Sequence, residues 1–154
     1  DIPSLDRRDP SFLKFLDHLA TLIEERGGLQ WIAIRQVSTV AHSIGKMELR
    51  NGSTKRIMTF AAQVGDRIAR EGNAQDLSST AWAFAKLGIR PASSSSPSSK
   101  SFFDGIEERS TWFVQNGTPQ ALSNVAWSCA KLGVRAPKLF AQIDEQTPKS
   151  LGND

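Results

Sequence analysis

Apolar and small residues recur along this chain at i, i+3, i+4, i+7 and i+10, the spacing of one stripe on an amphipathic helix. The pattern is clearest in "LSSTAWAFAKLG", Leu77 to Gly88, and "LSNVAWSCAKLG", Leu122 to Gly133, which agree at 8 of 12 positions and lie 45 residues apart. A looser copy, "IRQVSTVAHSIG", runs from Ile34 to Gly45 and puts Thr39 where the other two carry Trp82 and Trp127. These three segments are designated the A helices. A second set of stripes alternates with them: Ile57, Met58 and Ala61; Phe102, Phe103 and Ile106; Leu139, Phe140 and Ile143. Phe12, Leu13 and Leu16 repeat that pattern ahead of the first A helix, so a B helix leads the chain.

Self-similarity at such a period is the signature of stacked helical repeats. The expectation is an all-α chain: one helical-repeat domain over residues 1–154, built as a right-handed α-solenoid of about three stacked antiparallel hairpins plus a leading unpaired helix. The repeat copies start near Ile34, Leu77 and Leu122. Helices are predicted near 11–26, 30–44, 54–71, 74–87, 100–115, 119–132 and 137–147. "PASSSSPSSK", residues 91–100, separates an A helix from its B helix; Ser and Pro at that density cannot pack a core, so it reads as an inserted loop.

The residues that punctuate helices agree with this division. Gly45, Gly88 and Gly133 are placed to end A helices as left-handed caps, and Gly27, Gly72 and Gly117 to end B helices. Thr118 before Pro119 reads as N-cap and first helical residue, and Asn73 with Asp76 as an N-cap with an acid in the first turn. The leading helix is expected to leave Phe12, Leu16, Leu19 and Ile23 partly uncovered, unless an N-terminal segment or a partner covers them.

Composition adds limits. A net charge of +3 permits a nucleic acid or an acidic partner without requiring either. The mean hydropathy is −0.33 and no apolar run reaches the roughly 18 residues that span a bilayer. The first residue is Asp, and a targeting leader cannot be read from the chain. One cysteine excludes an internal disulfide framework and a thiolate zinc cage. Cys129, aligned with Ala41 and Phe84, reads as buried and inert. His18 and His42 have no second ligand at i+4, and the pairs Glu24–Glu25 and Glu107–Glu108 are adjacent rather than on one helical face, so they read as solvated surface. No glycine-rich phosphate loop is present. The sequence therefore points to a non-enzymatic chain with no metal and no cofactor.

"TPQALSNVAWSCAKLG" and "NAQDLSSTAWAFAKLG", with the looser copy at Ile34, resemble the first helix of the octotricopeptide repeat family, and the resemblance covers most of the chain. It implies an organellar protein, of the chloroplast ahead of the mitochondrion, that binds single-stranded RNA in RNA maturation, stability or translation. The alternative is a structural or assembly subunit docked on a large organellar complex such as a photosystem or ribosome. The resemblance also implies that the A helices line the ligand face, with Arg35 and Gln36, Ser78 and Ser79, and Ser123 and Asn124 as the RNA- or partner-binding positions. The bland reading of these six is solvated helix surface. Lys46, Lys86, Arg90, Lys131 and Arg135 recur at equivalent turns as a basic ridge for phosphates, or as cations complementing helix C-termini. Trp82 and Trp127, each one past a small Ala, are read as packing over a close helix contact, ahead of base stacking.

Overall fold

The structure, a computed structural model, describes residues 8–91 and 100–151. The Ser-rich segment 92–99 lies outside the described residues. Among the described residues the fold is all-helical: α1 (Pro10–Glu25), α2 (Ile34–Met47), α3 (Gly52–Gln63), α4 (Gly65–Glu71), α5 (Ala74–Leu87), α6 (Phe102–Glu108), α7 (Ser110–Asn116), α8 (Pro119–Leu132) and α9 (Pro137–Leu151).

The three A helices, α2, α5 and α8, each have 14 residues. α2 packs along α5 and α5 along α8. Their equivalent residues correct the alignment of the first copy. With the helix starts superposed, "VSTVAHSIGKMELR" (Val37–Arg50) lies on "LSSTAWAFAKLGIR" (Leu77–Arg90), an offset of 40 residues where 43 was expected. Val37, Ala41 and Ile44 are then buried where Leu77, Ala81 and Phe84 are buried, and Cys129 corresponds to Ile44 rather than Ala41. His42, not Thr39, stands at the tryptophan position. The helix predicted over 30–44 runs over 34–47: a turn in which the Ile32 N–H donates to the Leu29 carbonyl at 3.1 Å occupies the residues before its N-cap, Ala33.

Capping explains the remaining boundaries. Asn51 with Thr54, Asn73 with Asp76, and Ser101 with Asp104 form reciprocal capping boxes, and the Thr118 side chain accepts from the Ala121 N–H at 3.1 Å. Gly88 and Gly133 end α5 and α8 in the left-handed region, as expected. Gly45 does not end α2: it is buried inside the helix, and Glu48 takes the left-handed cap at φ 52°. The reason is packing. A Cβ on Gly45 would lie 3.0 Å from the Ala83 Cα and 3.2 Å from its Cβ, so this glycine lets α2 and α5 approach.

The other row carries the B helices. α1 packs on α3, α4 on α6, and α9 on both α6 and α7. The two inner B helices, expected to be continuous over 54–71 and 100–115, are broken at Val64 (φ −98°, ψ 13°) and Arg109 (φ −96°, ψ 19°), equivalent positions 45 residues apart. The breaks accompany a very close crossing of α4 and α6. A Cβ on Gly65 would lie 2.8 Å from the Phe102 Cβ, and one on Gly105 would lie 2.4 Å from the Ala69 Cβ. Arg109 then donates to the carbonyls of Ala69 and Gly72, satisfying the exposed end of α4.

Between the rows lies one apolar cluster reaching from Ala20 to Leu139, with Phe84, Phe102, Phe113, Leu77 and Ile106 wholly buried. On α1, Ile23 belongs to this cluster and Leu16 is buried, against the expectation of partial exposure; Phe12 and Leu19 are partly open as expected, and Phe15 and Leu22 are exposed. Of the adjacent glutamates, Glu24, Glu25 and Glu108 are exposed as expected, Glu108 pairing with Lys100, whereas Glu107 is partly buried and its carboxylate accepts from the Lys138 N–H (2.6 Å) and the Leu139 N–H (3.1 Å) at the start of α9.

Candidate functional site

With equivalent positions fixed by the helix row, one face of the A helices repeats a five-residue stripe at i, i+3, i+4, i+7 and i+11. It reads Arg35, Ser38, Thr39, His42, Lys46 on α2; Gln75, Ser78, Ser79, Trp82, Lys86 on α5; and Gln120, Ser123, Asn124, Trp127, Lys131 on α8. Neighbouring stripes enclose two depressions. The first, about 310 Å³, lies between α2 and α5 and is lined by Arg35, Ser38, Thr39, His42, Gln75, Asp76 and Ser79. The second, about 370 Å³, lies between α5 and α8 and includes His42, Lys46, Trp82, Gln120 and Asn124, with no carboxylate in its lining.

The hydroxyls of this face are mostly turned back to their own helix. Ser38 and Thr39 both donate to the Arg35 carbonyl, at 3.0 and 2.7 Å, and Ser78 donates to the Gln75 carbonyl at 3.2 Å. Ser38 and Ser78 are buried because the following A helix covers them; Ser38 Oγ also donates to Asp76 at 3.1 Å. Ser123 is exposed, and α8 is the last A helix in the row. Of the six expected binding positions, Ser79 and Asn124 line a depression with side chains partly open, and Arg35 lines one as the counterpart of Gln75 rather than of Ser78. Ser78, though buried between helices, also lines the second depression. Gln36 lines neither depression; it is the counterpart of Asp76 and Ala121, which face the preceding helix.

The two tryptophans differ: the Trp82 ring lies over the close α2–α5 contact as expected, 3.3 Å from where a Gly45 Cβ would stand, whereas Trp127 is more open. Trp127 is 43% exposed, and its ring centroid lies 5.2 Å from the Lys131 Nζ. Trp82 is half-buried, with its ring centroid 5.0 Å from that of His42. The His42 Nδ1 is buried without a hydrogen-bond partner. An imidazole and two indoles thus stand at one position of three successive helices. The correspondence of Trp82 and Trp127 was legible in the sequence, whereas His42 was hidden by the three-residue misalignment.

The basic ridge divides. Lys46 lines the second depression and Lys131 lies over Trp127, both on the aromatic face. Lys86 pairs with Glu48 at 3.5 Å, while its carbonyl accepts from Arg50 at 2.8 Å. Arg90 lines a separate groove with Arg67, Arg70 and Lys100, and Arg135 is exposed just beyond α8. The left-handed turn after α5 carries Arg90 away from the stripe.

Cys129 is buried, and loss of solvation followed by the nearby Glu107 charge pushes its thiol up to about 11. Among the described residues no His, Cys, Asp and Glu group has the makings of a metal site, and no helix is long and apolar enough to cross a membrane. Comparison with protein-family models, with curated proteins and with solved structures finds no match. The geometry of the repeated face therefore carries the functional argument.

Proposed function

We propose that the chain is a helical-repeat module, an α-solenoid of about three stacked hairpins behind a leading helix, that binds single-stranded RNA along the face bearing His42, Trp82 and Trp127. The setting this reading implies is organellar RNA maturation, stability or translation. One observation carries it: an aromatic ring followed four residues later by a lysine recurs on all three A helices, with Trp127 43% exposed and His42 and Trp82 partly open. Every base has a π-face, so aromatic side chains beside lysines form a platform that accepts successive bases. Neighbouring helices lie about 8–10 Å apart, wider than a base stack, so bases would be splayed at one per layer. At about 1–3 kcal/mol per stacked base, less the ordering costs, three layers support modest affinity.

Fluorescence anisotropy of a labelled single-stranded oligonucleotide, titrated across salt concentrations, tests the proposal. Lys46 and Lys131 acting as two phosphate contacts give a slope of log affinity against log salt of about −1.4. Replacing both with Gln flattens that slope. Undetectable binding at low salt, or a slope that ignores both lysines, overturns the assignment.

A further inference from the structure

The outer side of α1 is a second surface, separate from the RNA face. At about 100° per residue, Ser11, Phe15, Leu22 and Arg26 fall in a sector about 60° wide, turned away from the core residues Leu16, Ala20 and Ile23. Phe15 is 57% and Leu22 43% exposed, an unusual pair on one turn-to-turn line of a surface helix. Arg26, at the end of the sector, lies 5.2 Å over the Trp31 ring, itself half exposed, which extends the apolar area.

The next B helix shows what this side of the repeat does. Forty-five residues beyond Phe15 and Leu22 stand Phe60, partly buried against the core, and Arg67, which donates to the carbonyls of Gln30 and Ile32 at 2.7 Å each. Inside the stack this is a contact side, and it grips the backbone of the preceding connection. On α1 the gripping cation is replaced by Leu22, so the surface suits an apolar helix face rather than a row of carbonyls.

Charge selects the occupant. Lys14 and Glu25, both exposed, lie eleven residues apart on the same edge of the stripe, and no ion pair among the described residues holds either. When two copies of α1 pack antiparallel about a two-fold axis, like edges meet. Phe15 then faces Leu22 of the second copy, and Lys14 faces Glu25 of the second copy, each contact occurring twice. We infer that α1 is a self-complementary interface through which two copies of this chain form a closed two-fold dimer, with His18 beside the axis.

Sedimentation equilibrium of the full chain is expected to show a monomer–dimer equilibrium with no larger species. Phe15→Glu or Leu22→Glu abolishes the dimer; both side chains are exposed, and far-UV circular dichroism checks that the helices remain. Lys14→Glu alone weakens association about tenfold, Glu25→Lys does the same, and the double variant K14E/E25K restores it to within about threefold. H18C cross-links to itself under mild oxidation. A monomer at every concentration up to about 0.5 mM, growth past the dimer, or a double variant no better than either single one overturns the proposal. None of these outcomes depends on RNA binding, which uses the A helices.

Discussion

The A row is made of three unbroken helices of equal length, whereas the B row contains a 16-residue helix, two helices interrupted at Val64 and Arg109, and the closing α9. The two rows treat glycine and exposure differently. Gly45 in the A row brings two straight helices together along their length. Gly65 and Gly105 in the B row let helices cross so closely that each backbone bends beside the crossing. The contrast shows where the fold tolerates irregularity. The B row absorbs it, and the A row keeps its outward side chains at constant spacing, which is the condition for presenting equivalent groups to an extended ligand.

Four substitutions test that contrast. Gly105→Ala should be the most damaging, because the new Cβ would meet the Ala69 Cβ head-on; a loss of about 3 kcal/mol in chemical denaturation is expected. A loss under about 1 kcal/mol would mean that the crossing slides apart easily. Next, Trp127→Ala should reduce oligonucleotide affinity about tenfold with a smaller loss of stability than a buried tryptophan would cost, since the residue is 43% exposed. Equal losses of affinity and stability would instead make Trp127 a packing residue.

Thr80 comes third. Its buried hydroxyl has no hydrogen-bond partner, and the equivalent residues in α2 and α8 are Val40 and Val125, so Thr80→Val should stabilise the chain by about 1 kcal/mol. The smallest effect is expected at Glu48, the left-handed cap that is Gly88 and Gly133 in the other copies. Glu48→Gly relieves backbone strain but gives up the pair with Lys86, for a net gain of about 0.5 kcal/mol read as a small rise in Tm. A fall in Tm would show the ion pair outweighing the strain.

Much of the fold was legible because local rules and the repeat agree. The stripe spacing located α5 and α8 to the residue, and Asn73, Thr118, Gly88 and Gly133 capped them as their side chains and backbone freedom require. α2 was misplaced by a different route: Ile34 mimics the first apolar residue of the stripe, and Gly45 mimics a terminal cap, so the two false anchors reinforced each other. Lys46 and Arg50, which fall on Lys86 and Arg90, held the correct alignment.

By itself the sequence determined that this is an all-helical chain whose A segments are copies of one another, because amphipathic spacing and capping chemistry act within a few residues. Only the tertiary structure decided which polar residues are open and which are shut between helices, since Ser38 and Ser78 share their residue type and stripe position with the exposed Ser123. The breaks at Val64 and Arg109 were likewise decided there, because neither residue is a helix breaker and the bend accompanies the crossing of segments more than thirty residues apart.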